Sequence, residues 1–415
     1  MYKRQPLAFD TPLDLPCGAR IKNRFMKSAM SETLADPRSD PTDGLATLYR
    51  TWARGGVGLS VTGNVMVDRG ALGEPGNVAL DAASDRGAFE RWARAGSEEA
   101  TQLWMQLNHP GKQSPSLLVR EPLAPSAVPL TGDVGRFFNT PRAMTEAEIH
   151  GVIERFAYAA GVAKDTGFGG VQIHGAHGYL VSQFLSAHHN VRTDGWGGSA
   201  ENRRRFALEV YRAIRARVGA AFPVGIKLNS ADFQRGGFTE EESMAVVDAL
   251  AAEGVDLIEV SGGTYEAPAM TGYGAKDASE STRAREAYFL AFAEKVRART
   301  SVPLAVTGGF RTGAAMLDAL LSGAVDLVGL ARPLAVCPDL PARLLRDPGY
   351  ALALPRPSTG FKALDKATML DVTYYETQLG RMARGLPAKP DLSAWSAVFT
   401  TVGRFGASAL RPRRA

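Results

Sequence analysis

Val171-Gln172-Ile173-His174-Gly175-Ala176-His177-Gly178-Tyr179-Leu180 opens as a β-strand and breaks at Gly175, so its polar residues fall at the strand's C-terminal end. Short apolar runs of the same kind recur about eight times along the chain, at Phe25–Ser28, Gly58–Thr62, Thr101–Leu107, Gly170–His174, Val224–Leu228, Leu257–Ser261, Pro303–Thr307 and Leu327–Leu330. Stretches with helical spacing lie between them, clearest at Leu45–Arg54, Ser84–Ala100, Thr145–Thr166, Glu201–Val218, Thr239–Glu253, Ala284–Arg299 and Thr312–Ser322. Thr145 with Glu148, and Thr239 with Glu242, have the spacing of capping boxes with acidic first turns. Strands this apolar are buried on both faces, the mark of parallel sheet. Strand–helix alternation suits an open doubly wound sheet or a closed barrel. No GxGxxG follows the first strand, and the number of strands matches closure. The pattern therefore predicts a (β/α)8 TIM barrel, whose active site lies at the C-terminal ends of the strands.

Two segments fall outside the alternation. Thr11–Arg20, with Pro12, Pro16 and Gly18, reads as a small N-terminal hairpin capping the barrel floor. Gly111–Pro141 is a long Pro/Gly-rich loop after the third strand, and loops of that length in compact domains are usually functional. The rhythm stops near Pro355. The chain divides into a barrel over residues 1–355 and a C-terminal helical extension over 356–415, with a helical piece near Asp371–Arg384.

The 415 residues are 45% hydrophobic, and 48 basic against 43 acidic side chains leave a net charge of +5. That excess is dispersed apart from the short tail Arg411-Pro412-Arg413-Arg414, which argues against a nucleic-acid partner. Cys17 and Cys337 stand far apart and outside any CxxC pattern, as expected of a chain in a reducing compartment without disulfides, zinc fingers or iron–sulfur clusters. No apolar signal core opens the sequence and no uninterrupted apolar run is long enough to cross a bilayer. A cytoplasmic location, away from the membrane, is the expectation.

His174, His177 and Tyr179 form a donor cluster able to bind a carbonyl oxygen and deliver a proton. A zinc site would need three or four ligands, and the remaining histidines of the six supply no obvious third, so no metal is expected. The run from His174 to Ser186 (HGAHGYLVSQFLS), followed by Asn190 to Arg203 (NVRTDGWGGSAENR), closely resembles the old yellow enzyme family of flavin-dependent ene-reductases. The likeness extends from about Lys22 to Arg332.

The resemblance implies an FMN cofactor across the barrel mouth. Ser28-Ala29-Met30-Ser31 matches the segment touching the isoalloxazine ring, with Ser31 where one branch of the family has a thiol. Gly63 matches a small residue beside the ring. Thr33 holds a position often taken by a substrate-side aromatic. Alone, Ser31 and Gly63 read equally well as turn residues. Gln106, in Gln106-Leu107-Asn108-His109-Pro110-Gly111, offers the donor and acceptor that suit a pyrimidine edge, although a strand-end Gln is ordinarily a satisfied surface amide. Lys227 is a cation in an apolar strand, where the family usually places Arg; it supplies charge without the bidentate fork. Phosphate sites in such barrels use the loops after strands seven and eight, here Gly308 and Gly309, then Ala331 and Arg332. Ser261-Gly262-Gly263-Thr264 could face substrate or be a plain turn.

In the mechanism that the resemblance implies, NADPH or NADH donates hydride and a small activated alkene accepts it. His174 and His177 hold the substrate's carbonyl oxygen, and Tyr179 protonates its α-carbon. Relatives are often homo-oligomers in which a neighbour's C-terminal residue enters the site, for which Tyr374-Tyr375-Glu376 and Arg381 are candidates. Three alternatives stand beside this reading: a flavin barrel with oxidative (dehydrogenase or demethylase) chemistry, a metal-dependent barrel hydrolase using His174 and His177 as ligands, and a catalytically silent protein on the same fold.

Overall fold

The computed structural model describes residues 8–262, 289–310 and 312–405. Its centre is a closed parallel barrel of β1 (Phe25–Lys27), β2 (Leu59–Met66), β3 (Gln102–Asn108), β4 (Gly170–Gly175), β5 (Val224–Asn229), β6 (Leu257–Ser261), β7 (Leu304–Thr307) and β8 (Leu327–Leu330). Each strand pairs with its sequence neighbours, and β8 and β2 both pair with β1 to close the ring. The eight expected strands are all present. Seven of them end within about one residue of expectation, but β2 runs on to Met66. Gly63, which reads as a terminator, instead sits where the β2–β3 register shifts between Val61 and Asn64. A Cβ at Gly63 would collide with Glu32 Oε2 and the Met30 carbonyl, so the close approach of the loop after β1 requires glycine.

Alternation along the strands stacks the barrel interior in layers. The lowest is apolar: Met26, Leu59, Val61, Trp104, Leu257, Ala305 and Leu327 are buried together with Leu13, Leu15 and Ile21. Trp104 fills the axis because Gly170 and Gly225 have no side chain; Cβ atoms there would lie 2.6 and 2.9 Å from its ring. The expected hairpin (Leu13–Asp14 paired antiparallel with Arg20–Ile21) covers this floor. The next inward positions, Ser28, Gln106, Gln172, Lys227, Glu259 and Thr307, are polar and no more than 4% exposed. A larger apolar shell joins the outward faces of the strands to the surrounding helices.

Both expected capping boxes form, at the starts of the helices Glu146–Asp165 and Glu240–Ala252. The helix expected over Ala284–Arg299 is described from residue 289 to residue 297. In the long loop after β3, Lys112 is buried and its ammonium donates to the Val128 and Pro129 carbonyls, with His189 Nδ1 at 2.9 Å. Leu370–Ala383 is helical and packs against the helices Asp43–Arg54 and Arg332–Val336, with the helix Ala394–Phe405 against it. Among the described residues, no helix is long and apolar enough to cross a membrane.

Candidate active site

A cleft of about 250 Å³ opens at the C-terminal ends of the barrel strands. Its mouth holds the cluster at the end of β4. Because β4 stops at Gly175, the chain turns over the barrel through His177 (φ +60°) and Gly178 (φ +76°). A left-handed conformation at a non-glycine residue needs support from its surroundings. Here the His177 N–H donates to Asn229 Oδ1 at 3.2 Å, and its carbonyl accepts from Gln113 Nε2 at 3.1 Å. The turn brings the His174 ring 5.1 Å from that of His177 and 4.8 Å from that of Tyr179, each pair edge-on.

His174 is buried, and its Nδ1 accepts from the Ala176 N–H at 3.3 Å, which leaves the ring proton on Nε2. Burial, then His177 and Lys227, hold its pKa well below that of a free imidazole. His177 is held down in the same direction, first by burial and then by Lys227. Its Nε2 lies 2.7 Å from Ser261 Oγ. The Tyr179 hydroxyl accepts from Asn64 Nδ2 at 3.4 Å. The site thus presents two neutral imidazoles and a phenol, all hydrogen-bonding groups without net charge.

Ala29, Met30, Ser31, Gln106, Lys227, Ala331 and Arg332, which the resemblance assigns to the cofactor, also line the cleft. Several expected residues stand outside its wall. Ser28 lies beneath the floor, where its hydroxyl is 2.6 Å from Thr307 Oγ1. The Gly63 N–H is already donated to Glu32 Oε1 and the Tyr49 hydroxyl, at 3.0 Å each. Thr33, expected on the substrate side, is buried with φ +54°, and its carbonyl packs so closely on Gly76 that a methyl there would come within 2.6 Å. Gly308 and Gly309 are half-buried, with φ +109° and +84°. The Thr307–Gly329 pairing sets them beside Leu330 and Ala331. Of the loop after β6, Ser261 reaches His177, whereas Gly263 and Thr264 lie outside the described residues.

Sequence reasoning missed Asn64, because β2 reads as finished at Gly63. It missed Gln172 and Glu259 as well, although a Gln and a Glu alternating with apolar residues in buried strands is itself a signal of an inward polar layer. The opposite wall comes from the C-terminal extension: Asp371, Val372, Tyr375, Glu376 and Leu379 line this chain's own cleft. Arg381 instead turns its guanidinium to the Pro387 carbonyl.

The residues fit a flavin mononucleotide. Gln106 Oε1 and Ser31 Oγ are buried without a hydrogen-bond partner among the described residues, and both belong to cleft-lining side chains. Lys227 contributes a cation, and the exposed Arg332 stands at the end where two glycines leave the backbone open. Among the described residues, no group of three or more His, Cys, Asp or Glu is arranged to hold a metal.

The family model described as the NADH:flavin oxidoreductase / NADH oxidase family matches residues 9–347. An NADH-dependent flavin oxidoreductase of Hypocrea jecorina is 38% identical over 355 residues, covering 80% of this chain and 88% of the relative. Another, of Neonectria sp., is 40% identical over 360 residues; the match covers 81% of this chain but only 47% of that relative, so the chain spans about half of its length. The solved structure of the old yellow enzyme homologue from Zymomonas mobilis superposes with a TM-score of 0.70 at 24% identity, covering 84% of this chain and 95% of that one, and shares the fold. With the family model spanning the whole barrel, and the run from His174 to Ser186 lying at its mouth, the chain belongs to the NADH:flavin oxidoreductase family of old yellow enzyme-like barrels.

Proposed function

We propose that this chain uses NADH or NADPH, through FMN, to reduce the C=C bond of α,β-unsaturated carbonyl compounds or similarly activated small alkenes. One observation carries the reading: His174, His177 and Tyr179 stand ring to ring over a cleft whose floor offers orphaned polar atoms and a cation. We assign catalysis to the barrel, residues 1–355, and substrate selection to the extension, 356–415, whose helix faces the same cleft.

When bound, FMN supplies the two-electron chemistry. Gln106, Lys227, Ser31, Ala29 and Met30 would hold its ring system, and Gly308, Gly309, Ala331 and Arg332 its phosphate. The protein's own groups do the rest. His174 offers an Nε2–H to the substrate carbonyl. Nε2 of His177 pairs with the Ser261 hydroxyl; where that hydroxyl donates, the ring proton sits on Nδ1 as a second donor. Two fixed donors stabilise the negative charge that gathers on the oxygen as the alkene is reduced. The Tyr179 hydroxyl, oriented by Asn64, gives its proton to the α-carbon.

The test is purified protein with NADH or NADPH and 2-cyclohexenone. The expected result is a yellow protein that, in the absence of oxygen, turns over the nicotinamide when the enone is present. A colourless preparation that FMN does not reconstitute contradicts it.

A further inference from the structure

Glu259 lines no part of the cleft, yet every hydrogen bond of the polar layer beneath it runs toward this carboxylate. Gln106 Nε2 donates to Gln172 Oε1 at 2.7 Å, and Gln172 Nε2 donates to Glu259 Oε2 at 2.8 Å. Thr307 donates to Glu259 Oε1 at 2.6 Å. With that proton committed, the Ser28 hydroxyl is the donor in its contact with Thr307. Lys227 Nζ completes the set at 3.1 Å from Oε1. Glu259 is fully buried and Lys227 4% exposed, so each charge depends on the other.

The directionality has a chemical consequence. An ionised carboxylate only accepts hydrogen bonds. Gln172 must therefore turn its amide NH₂ to Glu259 and its oxygen to Gln106. Gln106 must in turn spend an N–H on Gln172, and its oxygen is the atom left without a partner. A neutral side chain at position 259 would donate as readily as accept, and would leave both amides free to flip. From this we propose that Glu259 is a positioning residue: it fixes Gln106 as an acceptor toward the cleft, balances the Lys227 cation, and so sets both cofactor affinity and cofactor potential. The proposal rests on FMN occupying the cleft.

The test is the midpoint potential of bound FMN, with the FMN dissociation constant, in the full-length protein. In Glu259→Gln the Lys227 charge is unbalanced and favours the electron-rich reduced cofactor. The ratio of reduced to oxidised FMN at a fixed solution potential should rise at least tenfold, a shift of about +30 mV for a two-electron couple. Gln172→Leu severs Gln106 from the carboxylate but keeps the Lys227 pair; the FMN dissociation constant should rise at least threefold while the ratio stays within threefold of wild type. If Glu259→Gln does not fold, Glu259→Ser takes its place, with the same tenfold rise in the ratio expected. A ratio within threefold of wild type in Glu259→Gln, or in Glu259→Ser where that variant replaces it, overturns the charge role. Wild-type affinity in Gln172→Leu overturns the orienting role. A wild-type protein that takes up no FMN overturns both this proposal and the reading above, whereas a yellow protein with unmoved potentials overturns this one alone.

Discussion

At the scale of single residues, the site separates groups that contact a substrate from groups that hold them. His174 has one nitrogen committed to the Ala176 amide and the other directed by default to the cleft. Losing one such charge-stabilising donor costs about 2.7–4 kcal/mol of barrier, so His174→Ala should lower kcat on an enone about 10²–10³-fold, read by steady-state kinetics. Flavin absorbance should stay unchanged. Equal losses in turnover and in flavin content would point to a structural role instead. Tyr179→Phe removes the proton and leaves the ring in its edge-on packing against His174. It should lose most turnover and retain FMN. His174, His177 and Tyr179 are legible in the sequence, because a strand broken by glycine leaves polar side chains at a known end of a barrel. Thr33 is not, since its left-handed backbone depends on packing against Gly76, a residue distant in sequence.

At the scale of elements, the strands were readable because each is buried on both faces and so uniformly apolar. What escaped was position within them. Gly63 reads as a stop but is a strand residue whose missing Cβ admits the loop carrying Met30, Ser31 and Glu32. Around that loop, Lys27 is fully buried, donates to the Tyr49 hydroxyl at 2.8 Å and to the Val61 carbonyl at 2.7 Å, and is pushed down to about 8 by burial. Tyr49 donates to Glu32, which also receives the Gly63 N–H. Gly63→Ala should therefore displace the loop. Overpacking of this kind costs about 1–3 kcal/mol, to be read from the denaturant midpoint, together with weaker FMN retention. Wild-type stability and retention in Gly63→Ala would show that the loop yields freely. The C-terminal helix was readable as a helix, but its place on the cleft wall was not: Tyr375 and Leu379 reach the barrel mouth through tertiary packing that no local pattern encodes.

Across the whole molecule, burial of uncharged imidazoles links stability to pH. His109, His174, His177 and His189 all have pKa values lowered chiefly by burial, His109 to about 4. Unfolded, each would titrate near about 6.5. The unfolded chain therefore binds more protons below that pH, and stability must fall as pH drops, by up to about 1.4 kcal/mol per pH unit for each group. Urea midpoints should decline from pH 7.5 to pH 5; a flat profile would show that these rings are not held neutral. The same shifts keep both imidazoles as neutral donors across that range, so turnover should show no titration near the pKa of free histidine.

The most direct test of the account follows the two hydrogens added to the alkene. In D₂O with unlabelled NADH and 2-cyclohexenone, the expected product is cyclohexanone with solvent deuterium at the α-carbon and unlabelled hydrogen at the β-carbon, formed at a rate that collapses in Tyr179→Phe. Recovery of the allylic alcohol, or deuterium at the β-carbon alone, would contradict it.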